Sequence, residues 1–123
     1  MPVVAALVEY GGRVVLARNA AWPEKQFGLI TGYLERDETP AAAVVREVAE
    51  ELGLVAQAVN QIGLYAFAAK NQLILAYHVV ASGEIVLNEE LAEFKLIEVT
   101  KLKPWDFGTG PAVRDWLAER SAQ

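Results

Sequence analysis

The chain has 123 residues, of which 54% are hydrophobic and 22% are charged, and it contains no cysteine. The lack of cysteine excludes disulfides, thiolate metal sites and cysteine nucleophiles. A net charge of −5 argues against a general nucleic-acid-binding surface, so we expect nucleic acid to be an unlikely partner. This length can bury a substantial core, and no linker interrupts it, so we expect one domain over residues 1–123.

The hydrophobic residues are spread among charged and turn residues, and no apolar run has the length needed to cross a membrane. Met1 leads directly into a predicted strand and not into a secretory leader. The sequence therefore predicts a cytoplasmic protein that does not enter a membrane.

The first thirty residues predict a hairpin and a short third strand. Two valine-rich runs, residues 3–8 and 14–17, flank the pair Gly11-Gly12, which is typical of a two-residue hairpin turn. The first run is apolar on both faces, so we expect it to be a central strand of the sheet. Residues 27–30 form a third short strand candidate.

A helix with well-marked ends follows. Thr39 is a good N-cap, Pro40 suits the first helical position, and Gly53 suits a left-handed residue that ends the helix. Helical periodicity predicts a buried side, with Val44 and Ala49 at its margins. The residues predicted for that side are Ala41, Val45, Val48 and Leu52.

The opposite side of this helix carries Glu47, Glu50 and Glu51 within an arc of roughly 100°, because residues three and four apart are neighbours on a helix. Like charges at this spacing repel unless a cation neutralises them. Mg²⁺ prefers oxygen ligands and is commonly held by a few carboxylates together with phosphates. A solvated acidic surface is the alternative interpretation of the same spacing.

The second half of the chain predicts more strands and a final helix. Residues 59–67 and 73–80 are rich in strand-forming residues and should pair antiparallel. Residues 84–87 and 94–99 are further strand candidates, and residues 111–120 have helical spacing. This order predicts an α/β class with a mixed sheet covered by helices.

The stretch GYLERDETPAAAVVREVAEELGL, residues 32–54, resembles the Nudix box at every defining position. The matching residues are Gly32, Glu38, Arg46, Glu47, Val48, Glu50, Glu51, Gly53 and Leu54. The resemblance implies a Nudix-type α/β/α sandwich. It also implies a pyrophosphohydrolase that uses Mg²⁺ or Mn²⁺ and a water attack at phosphorus to cleave a nucleoside diphosphate linked to another moiety.

The same resemblance suggests roles for individual residues. Glu47, Glu50 and Glu51 look like metal ligands, with the carbonyl of Gly32 as a further one. Arg46 looks like the residue that orients these carboxylates, and Glu38 either pairs with Arg46 or is explained by the helix dipole alone.

The resemblance also implies a general base beyond the box, because in some Nudix enzymes a glutamate near the last strands activates the water. Of the glutamates in that region, Glu89, Glu90 and Glu93, we predict Glu93 as the general base. A box glutamate such as Glu50 that both binds metal and polarises water is the alternative. Substrate-binding candidates are Arg18, Lys25, Tyr33 and Arg36, and the candidates to stack on a base are Trp22, Phe27, Tyr33, Tyr65 and Phe67.

The substrate is left open by departures from subfamily patterns. Many Nudix proteins have a second glycine immediately before Gly32, whereas this chain has Thr31, and in this respect it resembles the Nudix domain of NADH pyrophosphatases. The sequences of residues 71–77 and 82–85 are also similar to that subfamily. The downstream Ser-Gln-Pro-Trp-Pro-Phe-Pro signature of that subfamily is absent. A non-catalytic nucleotide-binding sensor is the alternative function, and a homodimer is compatible with the resemblance.

Overall fold

We describe a computed structural model of the chain that covers residues 2–23 and 25–122. The strands are β1 (Pro2–Tyr10), β2 (Arg13–Asn19), β3 (Ile30–Tyr33), β4 (Val55–Phe67), β5 (Gln72–Ser82) and β6 (Leu91–Glu98). The helices are α1 (Pro40–Leu52) and α2 (Gly110–Ser121), with short 3₁₀ turns at Ala68–Lys70 and Val99–Lys101.

The strands form one mixed sheet in the order β4-β5-β1-β2-β6, with β3 also paired to β1. The first strand runs parallel to β5 and antiparallel to β2 and β3. Its last residues pair with β2, whereas its first half pairs with β3 through Val4 and Gly32. The central position predicted for β1 is confirmed, and its hydrophobic residues are buried on both faces of the sheet.

Alternate residues of β1 face two separate cores. Val4, Ala6 and Val8 join the core under α1, whereas Ala5 and Leu7 join the core under α2. Period-two alternation in a strand buried on both sides explains this division. The result is the predicted α/β/α sandwich.

The hairpin is confirmed, since Gly11 and Gly12 have φ angles of 58° and 79° at its turn. The third strand lies three residues later than predicted, at Ile30–Tyr33. The strand predicted for residues 84–87 is wrong. The backbone of this segment hydrogen-bonds to the C-terminal end of α1 and not to a strand. The Val86 N–H donates to the Leu52 carbonyl, and just after the segment the Asn88 N–H donates to the Glu51 carbonyl.

The C-terminal helix α2 is present as predicted and is joined to the sheet by a polar contact. The Tyr65 hydroxyl donates to the Asp115 carboxylate over 2.6 Å, and burial, followed by this hydrogen bond, raises the pKa of Tyr65. His78 lies on the same face, 2.8 Å from Glu9 and beside the Trp116 ring. Within the described residues, neither helix is long and apolar enough to cross a membrane.

Candidate active site

The ends of α1 have the predicted structure. The Thr39 hydroxyl accepts from the Ala42 N–H over 3.2 Å, and Pro40 is the first helical residue. Gly53 has a φ of 69° and its N–H donates to the Ala49 carbonyl. The local sequence therefore fixes where the helix begins and ends.

The buried side of α1 differs from the predicted one. Ala41 and Val45 are exposed, so their predicted burial is wrong. The helix is rotated so that two of its glutamates lie against the sheet. The buried residues are Ala43, Val44, Glu47, Val48, Glu51 and Leu52.

Gly32 provides the space for this rotation. It pairs with Val4 inside the sheet, and a Cβ atom placed on it would overlap the Glu47 carboxylate. Because glycine has no side chain, the carboxylate can lie directly on the β3 backbone. The glycine of the motif is therefore required by a close approach between helix and strand.

Arg46 connects the acidic residues to each other. Its guanidinium donates to Glu38 over 2.7 and 3.0 Å, to Glu47 over 2.7 Å and to Glu50 over 3.3 Å, and also to the Tyr33 carbonyl over 3.1 Å. The hydrogen bonds to Glu38 are the main reason that the pKa of Arg46 is raised. Arg46 thus holds the β3 backbone and three carboxylates in one arrangement.

Glu51 is buried, but its carboxylate lacks part of its hydrogen bonding. Its side chain belongs to a residue that is 4% exposed, and its Oε2 atom has no hydrogen-bond partner. Burial raises the pKa of Glu51, and the hydrogen bond and charge of Glu47 and the charges of Glu90 and Glu50 add to this effect. An unpartnered buried carboxylate oxygen among other carboxylates fits a divalent cation, which takes oxygen ligands and neutralises the repulsion.

The carboxylates of α1 do not converge on one point as the ligands of a metal ion do. In residues 2–23 and 25–122, no three His, Asp or Glu side chains stand together as a metal site. Arg46 holds Glu47 and Glu50, and the Glu50 side chain is 57% exposed. Metal binding would therefore require the exposed Glu50 carboxylate to turn from Arg46 towards Glu47 and Glu51, which contact each other.

The three glutamates are part of the lining of a cavity of about 410 Å³. Aromatic, aliphatic and polar side chains line the rest of it, and many of them come from the β2–β3 loop, the β4–β5 connection and the segment before α2. They include Trp22, Phe27, Phe67, Lys70, Gln72, Trp105 and Phe107. A pocket that joins carboxylates to aromatic rings suits a metal-bound phosphate attached to an apolar or aromatic group.

Of the predicted substrate-binding residues, all within the described part of the chain, only Tyr33 lines this cavity. Arg18 instead donates to the Trp22 carbonyl over 3.2 Å and lies 3.6 Å from Glu93. Lys25 and Arg36 are exposed outside the cavity lining. Sequence reasoning missed Lys70, although its position in the β4–β5 connection was a signal, since such loops border sites at strand ends.

The structure favours Glu90 over Glu93 for a role at the acidic patch. Glu93 pairs with Arg18 across β2 and β6, is half exposed and does not line the cavity. Glu90 lines the cavity, and its charge contributes to the raised pKa of Glu51. The choice of Glu93 as the general base stays a prediction, and its ion pair with Arg18 makes Glu90 the better candidate for a role at the acidic patch.

A family model for the NUDIX domain matches residues 1–116. The chain belongs to this family. The predicted membership of the Nudix family is therefore confirmed, and the six-stranded mixed sheet has the fold of Nudix proteins.

Two curated relatives are named NAD-capped RNA hydrolase NudC. The protein from Mycobacterium tuberculosis is 39% identical over 84 residues, which is 68% of this chain and 27% of that protein. The protein from Pseudomonas aeruginosa is 33% identical over 93 residues, covering 75% of this chain and 34% of that protein. The chain thus spans about a third or less of the length of these relatives.

Solved Nudix structures agree in fold. The Nudix domain of Shewanella oneidensis NrtR, complexed with ADP ribose, has a TM-score of 0.78 at 17% identity and covers 100% of this chain and 88% of that one. The Escherichia coli ORF135 protein has a TM-score of 0.76 at 24% identity, covering 99% and 91% of the two chains. At these identities the similarity supports the fold alone.

Proposed function

We propose that this chain is a metal-dependent pyrophosphohydrolase that cleaves a phosphoanhydride bond in a nucleoside diphosphate linked to another moiety. The observation that carries the proposal is the buried, unpartnered oxygen of Glu51 beside Glu47, Glu50 and Glu90, in the lining of a cavity that also contains aromatic rings. A purely structural helix has no reason to bury such a carboxylate, because the burial costs free energy.

In this proposal Glu47, Glu50 and Glu51 hold Mg²⁺ or Mn²⁺, with the Gly32 carbonyl as a further ligand. The bound cation would neutralise phosphate charge and lower the pKa of a water. Arg46 positions Glu47 and Glu50 and does not contact the reacting atoms. Glu50 is the most exposed of the three, and in this proposal it orients the attacking water and accepts its proton. It thus takes the role of general base in place of Glu93.

The substrate class follows from the relatives. Because both NudC proteins are named NAD-capped RNA hydrolases, the proposed substrates are a free dinucleotide such as NADH and an NAD-capped RNA end. The net charge of −5 favours the small molecule, since extended RNA would meet an acidic surface. We also propose that residues 1–123 form one domain acting in the cytoplasm, and a homodimer stays a prediction.

The test is a panel incubated with the purified chain and Mg²⁺ or Mn²⁺. It contains NADH, ADP-ribose, a dinucleoside polyphosphate, a nucleoside triphosphate and NAD-capped RNA. We expect two phosphorylated products from NADH or ADP-ribose and no turnover in EDTA. Tight binding of a nucleotide without cleavage of any compound would support the sensor function instead.

The two loop glutamates should respond differently to the same substitution. We expect Glu90→Gln to lower kcat about tenfold or more, because its carboxylate borders the metal ligands, whereas Glu93→Gln should change kcat less than about twofold. Steady-state kinetics on the best substrate of the panel measures both. A larger loss for Glu93→Gln than for Glu90→Gln would instead support Glu93 as the general base.

A further inference from the structure

Phe107 has an exposed aromatic ring in the cavity. The residue is 53% exposed although it is large and apolar, and it lines the cavity together with the metal-binding candidates. Its ring centroid lies 6.4 Å from that of Phe67 at an angle of 40°. An exposed apolar ring inside a binding cavity gains free energy when a ligand covers it.

The segment before α2 is shaped to present this ring. Gly108 has a φ of 58°, and a Cβ atom placed on it would approach the Phe67 ring to 3.2 Å. A Cβ atom on Gly110 would overlap the Trp105 carbonyl. The two glycines therefore let the chain fold tightly under Phe67, and this arrangement sets the position of Phe107.

Among the other aromatic residues of the cavity lining, Trp22, Phe27, Phe67 and Trp105 are partly buried. Tyr33 is 58% exposed, but it follows Gly32 directly in β3, beside the metal-binding candidates. Trp22 packs against Gly28, and the Lys95 ammonium lies 4.3 Å from the Phe27 ring centroid. The cavity lining also includes the polar side chains of Gln72 and Thr109, the second of which is two residues after Phe107 in the chain. A flat group with polar edges matches such a wall, and a nucleobase has this chemistry.

We infer that Phe107 is a specificity-determining residue that stacks on the base of the substrate, with Phe67 beside it. The inference rests on the proposed function and adds to it. The glutamates would hold the cation that binds the diphosphate, and Phe107 selects substrates that carry an aromatic base over those that carry only sugar.

The experiment compares ADP-ribose with its counterpart without adenine, in which the same diphosphate joins two riboses. A stacked base is worth about 1–3 kcal/mol by alanine substitution, so Phe107→Ala should raise the KM for ADP-ribose roughly tenfold with little change in kcat. The KM for the base-free compound should not change. Phe107→Tyr should restore the KM for ADP-ribose, because it keeps the ring.

Leu64→Ala is the matched control, since Leu64 is 58% exposed and does not line the cavity. It should leave both KM values unchanged. An equal change for the two compounds in Phe107→Ala would overturn the inference, because the residue would then act on the diphosphate or on the fold.

Binding measured by calorimetry separates this inference from the proposed function. In a Glu50→Gln background with Mg²⁺, Phe107→Ala should weaken ADP-ribose binding roughly tenfold and leave the base-free compound unaffected. If the unmodified chain cleaves nothing but this difference in binding is found, the proposed function fails and base recognition stands. No measurable binding of ADP-ribose, or binding independent of Phe107, would overturn the inference.

Discussion

Replacement of Glu51 by glutamine is expected to lower kcat by about three orders of magnitude, which corresponds to about 4 kcal/mol of transition-state stabilisation. The substitution keeps the volume but removes a charged ligand from the proposed metal site. The melting temperature of the metal-free protein should rise by roughly 4 °C, or about 1 kcal/mol. Burial and the neighbouring carboxylates raise the pKa of Glu51 to about 9, so at neutral pH the folded chain keeps this side chain protonated whereas the unfolded chain ionises it. Glutamine removes this cost of folding, and its amide can donate to Glu47.

Glu50→Gln is the informative comparison. It should also lower kcat by about three orders of magnitude. Its effect on metal-free stability should be small, because Glu50 is largely exposed and already pairs with Arg46. Kinetics with Mg²⁺ and thermal melts in EDTA measure the two effects, and Glu119→Gln on α2 is a control for a charge change elsewhere. Near-normal turnover in Glu51→Gln would contradict the ligand role, and a lower melting temperature would contradict the account of its burial.

The ends of the central helix could be predicted from the sequence because they depend on local chemistry. Thr39, Pro40 and Gly53 each act on the backbone within a few residues, and the structure shows them acting in this way. The hairpin at Gly11-Gly12 has the same origin. The strand order of the sheet was not predicted, since it depends on pairing between distant segments such as β1 and β5.

The rotation of α1 could not be predicted from periodicity, because periodicity assigns apolar residues to the buried side. In the folded chain Glu47 and Glu51 are buried while Val45 is exposed, and the reason is a contact with Gly32, fifteen residues before Glu47. The roles of Glu90 and Glu93 also depend on distant partners. Glu93 is held by Arg18 from another strand, a pairing that sequence spacing does not reveal.

Gly32→Ala is expected to destabilise the protein and to lower its activity together. The added Cβ atom would overlap the Glu47 carboxylate, so the helix or the carboxylate must move. Overpacking of this kind costs about 1–3 kcal/mol. Displacing Glu47 also breaks its 2.7 Å ion pair with Arg46 and disturbs the ligand set, so kcat/KM should fall at least about tenfold.

Gly28→Ala is the matched control, because it lies close by in the sequence and borders the same cavity. A Cβ atom at Gly28 would meet Trp22 at 3.6 Å, which is an ordinary van der Waals contact. Its melting temperature and kcat/KM should therefore stay near those of the unmodified chain. Urea unfolding and steady-state kinetics compare the two variants, and equal losses would show that any side chain in this region is harmful. A tolerated Gly32→Ala would mean that Glu47 does not need to rest on the β3 backbone, and close approach of helix and strand would then not explain the glycine of the Nudix box.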